Sequence, residues 1–224
     1  MVPHADAGRR LLVVLDDARD AQQVRPLLPA GPGCAVLVTS RRTLGTLQGA
    51  RLLNLDLLSH RQGVELLARI AGPERIGAEP RAAAEVIGYC GLLPLAIQIA
   101  GARLATRPSW SVSELASRLA DPAGRLDELA VGDLAVRASF EVSLDALQTS
   151  PDPVDRQAAA ALGLLSLPDG AELGLETAAR LLNRPRRTTE TLLERLVDVR
   201  MLETPRSRRY RFHELLRLER KERT

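Results

Sequence analysis

Runs of apolar residues with different rhythms divide the chain, and each change of rhythm marks a change of element. Leu11 to Leu15 is a continuous run of five apolar residues, two of them β-branched, followed by Asp16 and Asp17. Such a run suits a parallel strand covered on both faces, with the acidic pair at its carboxyl end. Ala18 to Leu28 then carries Val24, Leu27 and Leu28 at helical spacing and stops at Pro29, with Gly31-Pro32-Gly33 as a loop. Ala35 to Val38 predicts a second strand, ending in Thr39-Ser40-Arg41-Arg42, and Leu52 to Leu55 predicts a third. Strand, helix, strand, loop and strand at this spacing predict part of a doubly wound parallel sheet.

Beyond Ser59 the period becomes helical. Ser59 is a candidate N-cap for a helix through Val64, Leu66, Leu67 and Ile70 that ends before Gly72-Pro73. A second helix is predicted from Pro80 to about Tyr89. A third follows the turn Cys90-Gly91-Leu92-Leu93 and starts at Pro94, where the missing N–H costs nothing. Ser111 to Leu119 predicts a fourth, and Ser113-x-x-Ala116 lacks the acidic partner of a capping box. Pro122 to Gly132 reads as a connector, Ala135 to Leu147 as the entry helix of another unit, and Thr149 to Pro153 as a boundary. Helices over Arg156 to Leu165, Leu175 to Leu182 and Thr188 to Val199 precede two short strands, Met201 to Thr204 and Arg209 to Phe212. Three helices and a hairpin are the order of a winged helix.

Composition narrows the class. Hydrophobic residues make up 45% of the 224 residues, enough for buried cores, whereas aromatics are only 2%, so those cores must be built from Leu, Ala and Val. The expected fold is mostly α with a small parallel α/β sheet remnant. The net charge of +3 is too small, and the acidic and basic residues too mixed, to indicate nucleic acid by itself. Cys34 and Cys90 have apolar neighbours and no metal-ligand spacing, which fits buried thiols in a reducing cytoplasm. No apolar run approaches the length of a membrane span and nothing resembles a signal peptide, so a cytoplasmic location is expected.

Four motifs in fixed order carry the candidate chemistry: Leu11-Leu-Val-Val-Leu-Asp-Asp17, Thr39-Ser40-Arg41, Gly91-Leu-Leu-Pro-Leu-Ala96 and Phe212-His213-Glu214. An acidic pair at the carboxyl end of a parallel strand can hold the water shell of a magnesium ion on a nucleotide. Asp17 or Asp20 can equally cap the helix that follows. A guanidinium after a neighbouring strand can fork onto phosphate oxygens, although Arg41 and Arg42 also read as a surface pair. Pro94 serves as a helix start, and His213 as a hydrogen bonder with two usable ring nitrogens.

By order and spacing the chain resembles the NB-ARC branch of the STAND signal-transduction NTPases, in the form found in actinobacterial transcriptional regulators of the SARP type. The resemblance runs from Leu11 to about Arg220. It implies that Asp16 serves a magnesium ion, that Asp17 acts on water as the catalytic carboxylate, and that Arg41 senses the terminal phosphate. It further implies that Pro94 packs on the adenine ring and that His213 touches the β-phosphate of ADP. All would converge on one cleft. Leu92 replaces a second glycine of that family's turn, and Phe212 and Glu214 stand for its methionine and aspartate. The implied units are the end of the nucleotide-binding domain over 1–58, a helical ARC subdomain over 59–132 and a winged helix over 133–224.

One component is missing from the set. A P-loop needs a glycine-rich turn followed by lysine, and Lys221, near the C-terminus, is the only lysine. The chain is therefore expected to be a fragment of a longer regulator or a product without its phosphate cradle. Its partners would be a P-loop region outside the 224 residues and, on activation, further copies of the same protein. The implied function is the C-terminal half of an ADP/ATP switch that uses Mg2+, with no ATP hydrolysis by this stretch alone. Two other classes compete with it. Arg186, Arg187 and the hairpin arginines could meet DNA, although Glu190, Glu194 and Asp198 on the candidate recognition helix oppose this. A protein-interaction module is the other.

Overall fold

The computed structural model describes residues 10–29, 31, 33–168, 170 and 172–223. The expected loop residue Pro32, the turn residue Asp169 and positions 1–9 of the first expected unit lie outside them. The chain is mostly helical with small sheets, as its composition implied.

The first layer holds two parallel strands, β1 (Leu12–Leu15) and β2 (Ala35–Val38), in register from Leu12 opposite Ala35 to Leu15 opposite Val38. Only one face is covered. Val13, Leu15, Val36 and Val38 are half-buried, while Leu12, Val14 and Leu37 remain 70%, 56% and 56% exposed. The helix between them is shorter than the periodicity predicted. It comprises α1 (Ala21–Val24) and a 3-10 turn over Arg25–Leu27, because Pro26 cannot donate to an α-helical ladder. Asp20 caps it, its Oδ1 accepting from the Gln23 N–H at 2.9 Å. The third strand does not form. Leu52, Leu53 and Leu55 are 52%, 80% and 88% exposed, so the run predicted as a strand has neither a ladder partner nor a packing surface among the described residues.

The middle of the chain is a helical unit of α2 (His60–Ala71), α3 (Pro73–Ala78), α4 (Pro80–Tyr89), α5 (Pro94–Thr106), α6 (Val112–Ala120) and α7 (Arg125–Glu128), then a small hairpin, β3 (Ala130–Val131) with β4 (Leu134–Ala135). Ser59 and Gln62 form a full capping box at the start of α2, and Pro80 and Pro94 occupy first-turn positions. For α6 the cap is Ser111, not Ser113: its hydroxyl accepts from the Glu114 N–H at 2.9 Å. The region expected to be a bare connector holds α7 and β3, too short for a period to reveal them.

The last unit has α8 (Val136–Gln148), α9 (Pro153–Ser166), β5 (Leu173–Gly174), α10 (Leu175–Leu182), α11 (Arg186–Asp198), β6 (Leu202–Arg206), β7 (Arg209–Phe212) and α12 (Glu214–Glu222). Its sheet runs β5-β7-β6, antiparallel throughout, behind three helices, which is a winged-helix arrangement. Tyr210 is fully buried there, its hydroxyl donating to Glu194 at 2.6 Å.

Among the described residues three apolar clusters form. One fills the helical unit around Leu67, Ile97, Leu104 and Leu119; another fills the winged-helix unit around Leu162, Leu193 and Tyr210; a small one lies under the β1-β2 sheet, formed by Ala18, Val24 and Leu44. Helix α12 joins the first two, giving Leu215 to one and Leu216 to the other.

Candidate functional site

The acidic pair stands at the carboxyl ends of the parallel strands because Leu11 to Leu15 is the part of this segment able to join a ladder. Past it, Asp17 takes a left-handed backbone with φ 51°, a conformation that Asp tolerates better than most residues. This turn is fixed by Thr39 at the end of β2. The Asp17 N–H donates to Thr39 Oγ1 at 2.9 Å, the same hydroxyl donates to Asp16, and the Ala18 N–H donates to the Thr39 carbonyl at 2.9 Å. Arg41 then reaches back, its Nε 3.5 Å from Asp17 Oδ1, while its Nη1 donates to Ser143 on α8 at 3.0 Å. Asp17 and Arg41 share a cleft of about 320 Å³ with Val142, Ser143 and Leu147.

The second pair meets elsewhere. Gly91 and Leu92 both take left-handed backbones, φ 59° and 60°, which brings the Gly91 carbonyl against His213. His213 Nε2 lies 2.9 Å from that oxygen, and Nδ1 accepts the Leu215 N–H at 3.2 Å, so the ring also caps α12. With Nδ1 accepting, Nε2 carries the proton and donates. A Cβ on Gly91 would lie 2.6 Å from His213 Cε1, so the turn admits no side chain at that point. The next residue, Glu214, is held by Arg125, which is 5% exposed, reaches its Oε1 at 2.5 Å, donates to the Leu119 carbonyl at 2.7 Å and stacks 4.9 Å over Tyr89. Pro94 and His213 line a cleft of about 680 Å³ together with Leu93, Phe140, Arg200 and Leu202.

The five motif residues thus fall into two places, with Asp16, Asp17 and Arg41 at the strand ends and Pro94 and His213 at the far turn. The two clefts described above divide them instead of uniting them as expected, with Asp17 and Arg41 lining one and Pro94 and His213 the other. Both clefts touch α8, one at Ser143 and the other at Phe140, one helical turn apart. Sequence reasoning missed Thr39 as the organiser of the acidic pair, Gly91 as the partner of His213, and Arg125. Thr39 had a signal, since it opens the Thr-Ser-Arg run; Arg125 had none.

The chain is similar to regulatory proteins of Streptomyces. It is 49% identical over 211 residues to Regulatory protein AfsR of Streptomyces griseus, and 50% identical over 211 residues to that of Streptomyces coelicolor. Each match takes in 94% of the chain but 21% and 20% of the relative, so the chain spans about a fifth of the length of the curated relatives it matches. A shorter stretch of 113 residues, 46% of the chain and 8% of the relative, is 30% identical to Disease resistance protein RPV1 of Vitis rotundifolia. No protein-family model matches the chain.

Donor chemistry limits what the strand ends can hold. No group of three or more His, Cys, Asp or Glu among the described residues is arranged as a metal cage. Asp16, Asp17 and the Thr39 hydroxyl offer a few oxygens, which suits magnesium only when waters and phosphate oxygens complete its shell. In the core of the helical unit, burial pushes the Cys90 thiol up to about 12, partly opposed by Arg125, so Cys90 is an inert packing residue. No described helix is long and apolar enough to cross a membrane.

Proposed function

We propose that this stretch is the C-terminal half of an NB-ARC type ADP/ATP switch within a signal-responsive bacterial transcriptional regulator. The observation carrying the proposal is the Asp17–Arg41 pair at the carboxyl ends of two parallel strands, where open α/β sheets take ligands. Similarity to the AfsR regulatory proteins supports the wider role, and the weaker likeness to RPV1 supports the switch. In this reading Arg41 would turn from Asp17 to a terminal phosphate, Asp17 would orient water, and Asp16 would be the residue that holds a magnesium ion. Bound Mg2+-nucleotide would supply the phosphate charge that this exchange needs. Pro94 and Phe140 offer flat apolar surface to a base, and the His213 Nε2–H that now serves Gly91 is the donor available to a phosphate. A P-loop outside the 224 residues would complete the site and draw the two clefts together around one ligand. Activation would then proceed by a shift between two states that contact the phosphates differently, with homo-oligomer assembly as its outcome.

The test is titration of a fluorescent ADP analogue against two proteins, this chain and a longer regulator that carries it together with a P-loop. Binding is expected only in the longer protein, weakened by Arg41→Ala and by His213→Ala. Unchanged affinity in both variants would refute the site. Nanomolar binding by the 224-residue chain would refute the need for the P-loop. The DNA-binding alternative loses support, because Arg186, Arg208 and Arg211 are engaged with Glu176, Glu190 and Glu203.

A further inference from the structure

The α/β layer meets the winged-helix unit through a boundary rich in hydrogen bonds. Its apolar cluster of Ala18, Val24 and Leu44 shares no residue with the other two clusters. Hydrogen bonds cross the boundary at four places: Arg42 to Asp155, the Thr43 N–H to the Asp198 carbonyl at 3.2 Å, Arg41 to Ser143, and Arg200 to Asn54 at 2.6 Å. Cavities of about 320 and 390 Å³ are both lined by Arg42, so this seat is held without close packing.

Among these contacts Arg42 to Asp155 is set apart by burial. Both guanidinium Nη atoms fork onto the carboxylate at 3.2 Å, and Asp155 is 1% exposed. The socket is built entirely within the winged-helix unit. Ser150 Oγ donates to Asp155 at 2.6 Å, Arg195 Nε stands 3.3 Å from its other oxygen, and Arg195 also holds Asp152 at 2.9 Å. Asp155 therefore keeps two partners if Arg42 withdraws, and withdrawal strands no bare buried carboxylate, the outcome that makes breaking a buried ion pair so costly. On the other side, Arg42 follows Arg41 directly, in a turn pinned by Ser40, whose hydroxyl donates to the Ala18 carbonyl at 2.7 Å and accepts the Arg42 N–H at 3.0 Å.

We propose that Arg42 and the Asp155–Arg195–Ser150 socket form a reversible latch that seats the α/β layer on the winged-helix unit. Movement of Arg41 at the strand end is transmitted to the latch through the one peptide bond between the two arginines. The latch goes beyond the nucleotide reading and does not depend on it, since Arg42, Asp155, Arg195 and Ser150 take no part in the proposed nucleotide contacts.

Hydrogen exchange read by mass spectrometry on the nucleotide-free 224-residue chain tests the latch, because the Thr43 amide is itself a bond across the boundary. Arg42→Ala is expected to speed exchange of the 39–44 segment at least tenfold, with α9 to α11 changed less than twofold. Arg42→Lys, which keeps the charge but loses the fork, is expected to fall between wild type and alanine. It also serves as the readout should the alanine variant fail to fold. Exchange within twofold of wild type over 39–44 would overturn the latch. So would equal acceleration in α9 to α11, which would make Arg42 a general structural residue.

Discussion

Replacing Gly91 by alanine gives the most direct measure of how the far turn holds His213. The new Cβ would stand 2.6 Å from His213 Cε1 and 2.8 Å from Nε2, closer than real contacts allow, on a backbone with φ 59°. The left-handed backbone alone costs a non-glycine residue about 1–2 kcal/mol. Expelling the ring forfeits the Nε2 bond to the Gly91 carbonyl, worth about 1 kcal/mol. It also forfeits the cap on the Leu215 N–H, worth about 1 kcal/mol. The total expected destabilisation is about 3–4 kcal/mol. In a His213→Ala background the ring and both of its bonds are already gone, so Gly91→Ala should cost only the backbone part, about 1–2 kcal/mol. Urea unfolding of wild type, both single variants and the double variant, extrapolated to water, closes the cycle. A coupling of about 2 kcal/mol is expected, the two bonds together. Gly91→Ala costing the same in both backgrounds, within about 0.5 kcal/mol, would show that the ring and the turn do not depend on each other.

Three further outcomes follow from the same contacts. Glu79 accepts hydrogen bonds from the Ser113 hydroxyl, the Val112 N–H and the Ser113 N–H, and these hold its pKa below the ordinary 4.5. Its contribution is thus complete above the unfolded value and lost as pH falls through the lowered folded value, so the Glu79→Gln loss in melting temperature should be full at pH 7 and shrink in acid; a loss constant down to pH 3 would refute it. Arg125→Ala removes the partners of Glu214 and the Leu119 carbonyl and the stack on Tyr89, and should destabilise by about 3 kcal/mol in urea unfolding; a cost below about 1 kcal/mol would show that Arg125 is dispensable. Asp17→Gly should be more stable than Asp17→Ala by about 1 kcal/mol, because both lose the Arg41 pair but only alanine keeps a Cβ in the left-handed turn; equal melting temperatures would contradict that strain.

Where local chemistry sets the boundary, the sequence was readable. Ser59, Pro80 and Pro94 start their helices as expected because a cap or a first-turn proline acts through the residues beside it. The third strand failed because a run such as Leu52 to Leu55 says that the residues are apolar, not that a neighbouring strand exists to pair with them. Strands β3, β4 and β5, two residues each, are below the length at which a period can be detected. At the candidate site, the acidic pair and Arg41 were named from the sequence and lie together at the strand ends, and Pro94 and His213 lie together at the far turn. The split into two clefts was not readable, since it depends on how three separately packed clusters are seated. Arg42 looked like half of a surface pair because its partner, Asp155, is 113 residues away in the first turn of α9.

The left-handed residues explain why those long-range contacts fall where they do. Asp17, Leu92 and Arg200 have φ of 51°, 60° and 61°, and each sits at a point where one segment reaches another: Asp17 to Thr39 and Arg41, the Gly91-Leu92 turn to His213, and Arg200 to Asn54. A non-glycine residue is held in that region only when its surroundings over-determine it. At Arg200 and at the Gly91-Leu92 turn local helix-end bonds do this, the Met201 N–H reaching the Leu196 carbonyl at 2.9 Å and the Leu92 N–H the Ile87 carbonyl at 3.3 Å, whereas Asp17 is fixed by Thr39, 22 residues away. The Asp17 turn is therefore the one whose left-handed backbone lasts only while the two strand ends stay joined, whereas the turns at Leu92 and Arg200 belong to the ends of α4 and α11 and keep their shape with those helices.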